Sequence, residues 1–326
     1  MPEIHEPNPA DIELPRRLLR DHANYLLAPT PESFTAHFGN AFPAPHLLES
    51  DLGYTALYTL TAPSGHPTRR VLLVHGLNTP ALGLLPLATQ LQALDASAHI
   101  ALFDLWGHGL SSTPLVPHTP HIFHAQILQV LSYLGWASAD LLGYSFGASM
   151  LVSFALYNPR ATQSVALLAP AGILDTGRLF GEKLRALLAD DAQGNEGEAR
   201  DAVFEFLEGP GPLVVPEDWA GRMRRGEIVA EALRDWELRE HPGYRHSVFS
   251  MFREGNAYGC EEYFRRFAAL PVKKVVVLGE TDGVCREDQL MELGFDNVEV
   301  VKGAGHGVVR KKPGEVARIV YEMWMK

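Results

Sequence analysis

The sequence is poor in cysteine, with only Cys260 and Cys285 among its 326 residues. Two thiols cannot cross-link a chain of this length, and neither belongs to a Cys-x-x-Cys pair, so a disulfide framework and a zinc site are both disfavoured. We expect two free thiols in a reducing compartment. Residues 1–10 are rich in proline and acidic side chains and lack the basic and apolar pattern of a secretory signal. These features predict a cytoplasmic location.

Basic residues are also scarce, with 28 Lys and Arg against 39 Asp and Glu, which gives a net charge of −11. Such a surface repels phosphate backbones and anionic lipids, so we expect no nucleic-acid partner and no attachment to membranes through charge. The sequence contains no apolar run of the length that spans a bilayer. Hydrophobic residues make up 46% of the chain and charged residues 21%, which is typical of a folded globular protein.

What the sequence does contain is an alternation of short apolar runs with helical patterns. Continuous apolar runs without alternation are typical of strands that are covered on both faces of a parallel sheet. The predicted strands of this kind lie at residues 71–74, 99–105, 139–143, 164–169, 273–279 and 297–302, after an early, partly exposed strand at residues 53–60. Helical periodicity marks residues 80–94, 119–134, 147–157, 286–293 and 313–324. Strands and helices in this order predict a doubly wound α/β sheet.

The alternation is interrupted once. Residues 176–270 are charge-rich and mostly helical in pattern, and they contain no run typical of a buried strand. We interpret them as a helical insertion into one core domain that comprises residues 51–175 and 271–326. Residues 1–50 show no strong strand signal and are interpreted as an N-terminal extension, with an amphipathic helix predicted over residues 15–27.

The strongest chemical signal is the segment Gly143-Tyr144-Ser145-Phe146-Gly147, which follows an apolar strand and precedes a helix. It matches the G-x-S-x-G nucleophile elbow, in which a sharp turn holds a serine in a strained conformation and flanking side chains would collide. The hydroxyl of Ser145 would then lie at the positive end of the following helix. The pattern by itself also occurs as a turn with a capping serine, and the strand–turn–helix context favours the nucleophile.

Two later segments supply the partners that a serine nucleophile needs. His306 lies within Gly303-Ala304-Gly305-His306-Gly307, between the last predicted strand and the C-terminal helix. Asp282 follows the strand at residues 273–279 and is placed to accept the imidazole N–H and fix its tautomer. The chain order Ser145, Asp282, His306 is the order expected when this triad stands on an α/β sheet. Asp175, at the end of another predicted strand, remains an alternative for the acid.

Two backbone N–H groups are candidates for an oxyanion hole. The segment Val74-His75-Gly76-Leu77 ends the strand beside the nucleophile strand, so the N–H of Leu77 can pair with that of Phe146. We interpret the His75 side chain as a structural residue of this turn.

Three histidines, His118, His121 and His124, are spaced three residues apart at the start of a predicted helix. Positions i, i+3 and i+6 drift around the helix surface, so we expect surface histidines rather than the ligands of a metal. No metal and no organic cofactor is predicted.

Together these motifs, with Asp104-Leu105-Trp106-Gly107-His108-Gly109-Leu110-Ser111, resemble the capped α/β-hydrolase superfamily. The branch they resemble includes monoacylglycerol lipases, small-molecule esterases and carbon–carbon bond hydrolases. The resemblance covers about residues 50–175 and 270–326. It implies a mostly parallel eight-stranded sheet flanked by helices, with residues 176–270 forming a helical cap. It also implies roles for five residues: Ser145 as nucleophile, His306 as general base, Asp282 as its partner, and Leu77 and Phe146 as oxyanion donors.

The resemblance further implies the class of reaction. Relatives that open epoxides or remove halide carry aspartate at the elbow and dienelactone hydrolases carry cysteine, whereas serine favours acyl transfer to water. The prediction is hydrolysis of an ester, thioester or lactone of a small apolar molecule through an acyl-enzyme on Ser145. Alternatives with the same triad are hydrolysis of a carbon–carbon bond in a β-diketone or polyketide-like substrate, a cofactor-free haloperoxidase and a lyase. A ligand-binding receptor without activity is a further alternative.

Some apolar side chains of the insertion should face the substrate cleft, and most should pack inside the protein. The candidates are Phe204, Phe206, Leu207, Trp219, Trp236, Phe249, Met251 and Phe252.

Overall fold

A computed structural model describes residues 24–189, 196–209 and 211–326 of the chain. Most of the helix predicted over residues 15–27 lies outside these ranges, and Tyr25–Leu26 form a short strand instead. None of the helices within the described ranges combines the length and the apolar character that a membrane crossing needs.

The strands of the described chain form one large sheet and one two-stranded ribbon. They are β1 (Tyr25–Leu26), β2 (His46–Ser50), β3 (Gly53–Leu60), β4 (Arg69–Val74), β5 (Ala98–Phe103), β6 (Thr113–Pro114), β7 (Ala139–Tyr144), β8 (Thr162–Leu168), β9 (Lys273–Gly279) and β10 (Val298–Val301). The large sheet has eight strands in the order β10-β9-β8-β7-β4-β5-β3-β2, and β1 pairs with β6. Within the large sheet every pair from β10 to β5 is parallel, and the two pairs made by β3 are antiparallel. The predicted mostly parallel eight-stranded sheet is confirmed.

The helices of the described chain cover both faces of this sheet and the side at which its parallel strands end. They are α1 (Pro31–Phe38), α2 (Leu85–Leu94), α3 (Pro120–Tyr133), α4 (Phe146–Tyr157), α5 (Thr176–Leu179), α6 (Glu182–Leu188), α7 (Glu196–Glu208), α8 (Trp219–Arg224), α9 (Ala230–Glu240), α10 (Tyr244–Glu254), α11 (Glu261–Ala268), α12 (Glu287–Glu292), α13 (Val308–Lys311) and α14 (Pro313–Met325), with 3₁₀ turns at Ala81–Leu84 and Pro159–Ala161.

The central strands are buried on both faces, as their continuous apolar runs predict. In β4, Leu72 and Val74 belong to a core under α3, α4 and α11, whereas Val71 and Leu73 belong to a second core under α2 and α14. The same alternation holds along β5, β7, β8 and β9. Successive side chains of a strand point to opposite faces, so a strand between two helical layers needs apolar residues at every position.

The sheet begins earlier in the chain than the predicted boundary at residue 51. Strand β2 lies inside the segment interpreted as an N-terminal extension and pairs antiparallel with β3 at the sheet edge. Only Leu48 of its five residues is buried. An edge strand with one exposed side need not be apolar, so β2 left no hydrophobic run in the sequence. Gly53, with φ +113°, allows the tight turn that joins β2 to β3.

The segment 176–270 is helical, from α5 to α11, and its described residues contain no strand. Its interpretation as a cap stays a prediction, and we use the name cap for this segment below. Phe180, Leu184 and Phe252 of the cap pack into the same hydrophobic core as α4. On this side of the sheet the cap is therefore continuous with the core, and Val229, Leu233 and Trp236 of the cap join the second core on the other side.

Polar side chains of the cap reach into the loop that follows β5. Glu237 of α9 is fully buried, and its Oε1 accepts a hydrogen bond of 2.8 Å from the Gly109 N–H. His241 Nε2 lies 2.9 Å from the Ser111 carbonyl oxygen. Beneath them the buried carboxylate of Asp104 accepts hydrogen bonds from the backbone N–H of Leu110 and other donors. The loop after β5 is thus hydrogen-bonded to the cap on one side and to the buried Asp104 carboxylate, at the end of β5, on the other.

Two of the three spaced histidines are buried, so the expectation that these histidines lie on the surface of a helix is wrong for His118 and His124. His118 precedes α3 and is buried, with Nε2 lying 3.0 Å from Ser247 Oγ of the cap. His124 is also buried, with Nε2 lying 2.9 Å from Ser153 Oγ of α4. Burial lowers the pKa of each to about 4. Only His121 is exposed, because α4 and the cap cover this part of α3, and no metal-binding cluster occurs among the described residues.

The buried Glu237 predicts a specific dependence of stability on pH. Burial, with a smaller contribution from the negative charge of Asp104, raises the pKa of Glu237 well above its ordinary value. Above a pH of about 4.3, the pKa of a glutamate in the unfolded chain, the unfolded state loses the Glu237 proton while the folded state keeps it. The contribution of Glu237 to the free energy of unfolding therefore falls as pH rises beyond that value. Glu237→Gln, which cannot ionise, should become progressively more stable relative to the wild type between pH 4.5 and pH 8 in urea unfolding.

The matched control for this prediction is Glu240→Gln, on the same helix. The Glu240 side chain is 52% exposed, so its substitution should shift unfolding by an amount that does not change with pH. A constant difference between Glu237→Gln and the wild type over the same range would contradict the prediction.

Candidate active site

Ser145 lies in the turn between β7 and α4 in a conformation that side chains rarely adopt. Its φ is 54° and its ψ is −117°, a strained combination for a residue with a Cβ. The surrounding backbone holds it there, since the Ser145 N–H donates to the Leu168 carbonyl at 2.9 Å and its own carbonyl accepts from the Ala171 N–H at 3.1 Å. Backbone strain at a strand–helix turn is the expected signature of a nucleophile elbow.

The two glycines of the elbow are required by close packing. A Cβ on Gly143 would lie 2.5 Å from the Gly147 carbonyl oxygen and 2.6 Å from the Ala148 Cα. A Cβ on Gly147 would overlap the carbonyl oxygens of Val74 and His75 at the end of β4. Any side chain at either position would therefore push α4 away from the sheet.

The structure brings together the three side chains predicted as a triad. His306 Nε2 lies 2.9 Å from Ser145 Oγ, and His306 Nδ1 lies 3.2 Å from both carboxylate oxygens of Asp282. The Asp282 side chain is 1% exposed and that of His306 is 31% exposed. With a carboxylate facing Nδ1, the imidazole carries its proton there, and Nε2 is left to accept the serine proton.

Asp282 is itself held in place by the backbone around it. Its Oδ1 accepts a hydrogen bond of 2.8 Å from the Val284 N–H, and its N–H donates to the Gly279 carbonyl at the end of β9. Gly279 lies against the loop of His306, since a Cβ there would meet the carbonyl oxygens of Ala304 and Gly305. The loops after β9 and β10 are therefore packed together.

Asp175, the alternative acid, is engaged elsewhere. It caps the N-terminus of α5, where its Oδ1 accepts from the Arg178 N–H at 3.0 Å, and its Oδ2 lies 3.9 Å from a guanidinium nitrogen of Arg286. None of its hydrogen bonds within the described chain reaches His306.

The predicted oxyanion turn lies against the nucleophile. A Cβ on Gly76 would lie 2.9 Å from Ser145 Cβ and 3.4 Å from Ser145 Oγ, so only glycine permits this approach. Phe146 follows Ser145 as the first residue of α4, and Leu77 lines the cavity above the serine. Leu77 is fixed through its carbonyl oxygen, which lies 2.8 Å from His108 Nε2.

His75 has the structural role expected from the sequence. Its ring is fully buried, Nδ1 lies 2.7 Å from the Gly76 carbonyl oxygen, and Nε2 accepts a hydrogen bond of 2.8 Å from the Leu105 N–H. Burial lowers the pKa of His75 well below its ordinary value, so the ring is neutral. It ties the turn after β4 to the loop after β5.

A cavity of about 360 Å³ opens on Ser145 and His306. Its walls are mainly apolar, with Leu174 and Val284 from the core and Phe206, Leu207, Leu213 and Phe252 from the cap. Of the apolar cap residues expected near the cleft, Phe206, Leu207 and Phe252 line it, whereas Phe204 and Trp236 are buried in packing.

Sequence reasoning missed the polar part of the cavity wall, which includes Asn78, Thr79, Glu231, Arg234 and Arg310. The sequence contained one indication that Arg310 lies near the site, because Arg310 follows His306 by only four residues. It lies on the short helix α13. Arg234 belongs to the cap, where charged residues alternate, and nothing in that pattern marks the one that faces inward.

Comparisons with known proteins agree with this architecture. The model of the alpha/beta hydrolase family matches residues 71–319. Epoxide hydrolase 2 of Siraitia grosvenorii is 24% identical over 264 residues, which cover 68% of this chain and 82% of that protein.

Solved structures show the same fold at low sequence identity. An enol-lactonase of Burkholderia xenovorans superimposes with a TM-score of 0.62 at 18% identity, over 86% of this chain and 100% of that one. A carboxylesterase of Bacillus subtilis superimposes with a TM-score of 0.61 at 17% identity, over 90% of this chain and 95% of that one.

The packing of the elbow predicts a loss of stability when Gly147 is replaced. Gly147→Ala should lower the free energy of unfolding by about 1–3 kcal/mol, because the new methyl group overlaps backbone atoms of β4 that cannot rotate away. Gly177→Ala is the matched control, since Gly177 occupies the same second position of α5 and a Cβ there would meet only Asp175 Oδ1, at 3.4 Å. Urea unfolding measures both variants, and equal effects at the two sites would contradict the packing argument.

Proposed function

This chain belongs to the alpha/beta hydrolase family, and from that premise we propose that it is a serine hydrolase acting on an ester, thioester or lactone of a small, largely apolar molecule. The observation that carries the proposal is the alignment of Ser145 Oγ, the His306 imidazole and the Asp282 carboxylate at 2.9 and 3.2 Å. Family membership supports hydrolytic activity, and the geometry supports the kind of nucleophile.

The proposed reaction proceeds in two halves through an acyl-enzyme. Ser145 Oγ attacks the substrate carbonyl while His306 Nε2 takes its proton, and the Asp282 carboxylate stabilises the imidazolium that forms. The backbone N–H groups of Leu77 and Phe146 stabilise the oxyanion of the tetrahedral intermediate. His306 then gives its proton to the leaving group. In the second half, water attacks the acyl-enzyme with the same proton transfers and releases the acid.

The serine also argues against epoxide opening, although a relative is named as an epoxide hydrolase. In the aspartate-dependent reaction, the nucleophile forms an ester that water later cleaves at the carbonyl of the aspartate. Attack by Ser145 Oγ on an epoxide would instead form an alkyl ether, which contains no carbonyl for water to attack. Acyl transfer is the reaction that a serine hydroxyl at this position completes.

The size and character of the cavity support a small substrate. A volume of about 360 Å³ lies at the lower end of the range for small-molecule sites, and its walls are mainly apolar. An enol-lactonase and a carboxylesterase share the fold, and the names of both indicate acyl chemistry.

The reaction products distinguish ester hydrolysis from the alternative functions that the sequence leaves open. Hydrolysis of a carbon–carbon bond would release a ketone or enol with the acid, whereas ester hydrolysis releases an alcohol. A receptor would bind without turnover. Because the side chains of Ser145, Asp282 and His306 are all present and in contact, a catalytic role is favoured over a receptor role.

Labelling with a fluorophosphonate probe tests the nucleophile. The wild type should be labelled and Ser145→Ala should not, and hydrolysis of p-nitrophenyl butyrate should fall by about 10⁴-fold or more in the variant. Ser132→Ala, which removes an exposed hydroxyl at the end of α3, should keep both labelling and activity. An unlabelled wild type, or equal labelling of Ser145→Ala, would refute the proposed mechanism.

The acid of the triad is tested by two parallel substitutions. Asp282→Asn should reduce kcat by about 10⁴-fold, because the amide no longer holds the imidazole in the tautomer that accepts the serine proton. Asp175→Asn should leave kcat within a few-fold of the wild type. Steady-state kinetics on the same ester decide between them, and the reverse ranking would assign the role to Asp175.

A further inference from the structure

One cation in the wall of the cavity, Arg310, forms no ion pair with any carboxylate of the described residues. The guanidinium of Arg310 lies 5.4 Å above the ring of Tyr144, and its Nη1 donates to Thr79 Oγ1 at 3.4 Å. Both of these neighbours line the cavity as well. Within residues 24–189, 196–209 and 211–326, no Asp or Glu forms an ion pair with Arg310.

The other arginine of the wall differs from Arg310 in this respect. Arg234 of the cap pairs with Glu208 at 2.9 Å, so its charge is compensated inside the protein. Glu231 is exposed at the start of α9 and forms no ion pair with Arg310. A half-buried guanidinium beside apolar walls has lost part of its hydration, and a negative group in the cavity would restore the lost interaction.

Arg310 is also fixed in place before any substrate arrives. Its contacts with Tyr144 and Thr79 hold the guanidinium between the residue before the nucleophile and the loop after β4. The Tyr144 ring in turn lies 5.5 Å from the His306 ring. A planar guanidinium held in one orientation can form two parallel hydrogen bonds to a carboxylate with little further loss of side-chain entropy.

From these contacts we propose that Arg310 binds a carboxylate of the substrate, so that the preferred substrates are esters or lactones that carry a free carboxylate in addition to the scissile bond. This assignment rests on the proposed function and names the substrate class of the same site. The apolar walls contact the body of the molecule, its carbonyl lies at Ser145, and its carboxylate pairs with Arg310. Arg310 is a specificity-determining residue and takes no part in bond cleavage.

The overall charge of the protein cannot explain a preference for acidic substrates. With a net charge of −11, the protein as a whole repels anions. A preference for an acidic substrate over a neutral one of equal length must therefore come from a local cation in the site.

The test compares two esters that differ only in the terminal group, the p-nitrophenyl monoester of adipic acid and p-nitrophenyl hexanoate. The wild type should have the higher kcat/KM for the acidic ester. Arg310→Gln should lower the ratio of the two values by about 10-fold or more, mainly through KM, as expected for the loss of a charge-assisted hydrogen bond. Monoesters of glutaric and suberic acid extend the comparison to shorter and longer spacings.

The matched control is Lys311→Gln, which removes the same charge from the adjacent, exposed residue that does not line the cavity. It should leave the ratio unchanged. A wild type that prefers the neutral ester at every chain length, or an Arg310→Gln variant with the wild-type ratio, would overturn the proposal. The first of these results needs no variant and stands even where Arg310→Gln does not fold.

A binding measurement separates this proposal from the proposed function. Calorimetric titration of Ser145→Ala with monomethyl adipate and dimethyl adipate should show about 10-fold tighter binding of the acid, and the difference should vanish when Arg310→Gln is added. If the wild type hydrolyses no ester but this difference is found, the proposed hydrolysis fails and the carboxylate site stands. Equal affinity for the two compounds overturns the site whatever the kinetics show.

Discussion

The contact between the start of α4 and the end of β4 is the one on which the candidate site depends. Gly147 lies against the carbonyl oxygens of Val74 and His75, and Gly76 lies against Ser145. These approaches force Ser145 into its strained backbone conformation and bring the predicted oxyanion turn beside it. Strain at one residue is tolerated because the sheet and helix around it are fully packed, so the strain is held by a core of two apolar layers.

A second constraint is the buried polar network that joins the cap to the loop after β5. Asp104 accepts hydrogen bonds from the Ala81 and Leu110 N–H groups and the Tyr58 hydroxyl, and burial raises its pKa to about 6. Glu237 enters the same region from the cap. Burial also raises the pKa of Glu237, and the negative charge of Asp104 adds to that rise. The network fixes the cap relative to the turn that carries Leu77, which couples the shape of the cavity to the packing of the cap.

The histidines around the site differ in what surrounds them. His75 and His241 are buried against backbone groups, and burial lowers the pKa of both. His306 is the histidine that meets a carboxylate on one side and a serine hydroxyl on the other while remaining partly exposed. The cavity beyond it combines mainly apolar walls with the guanidinium of Arg310.

The sequence by itself determined the central strands, the elbow and the chain order of Ser145, Asp282 and His306, because continuous apolar runs and glycines at a sharp turn report local physical requirements. It missed β2, whose edge position removes the need for apolar residues, and it placed His118 and His124 on a surface that the cap and α4 cover. Only the tertiary structure decided that Asp282 rather than Asp175 meets His306. It alone also decided that Arg310 faces the cavity without an ion-pair partner among the described residues. Such contacts join residues far apart in the chain, and they follow from how loops pack against one another, which local periodicity does not record.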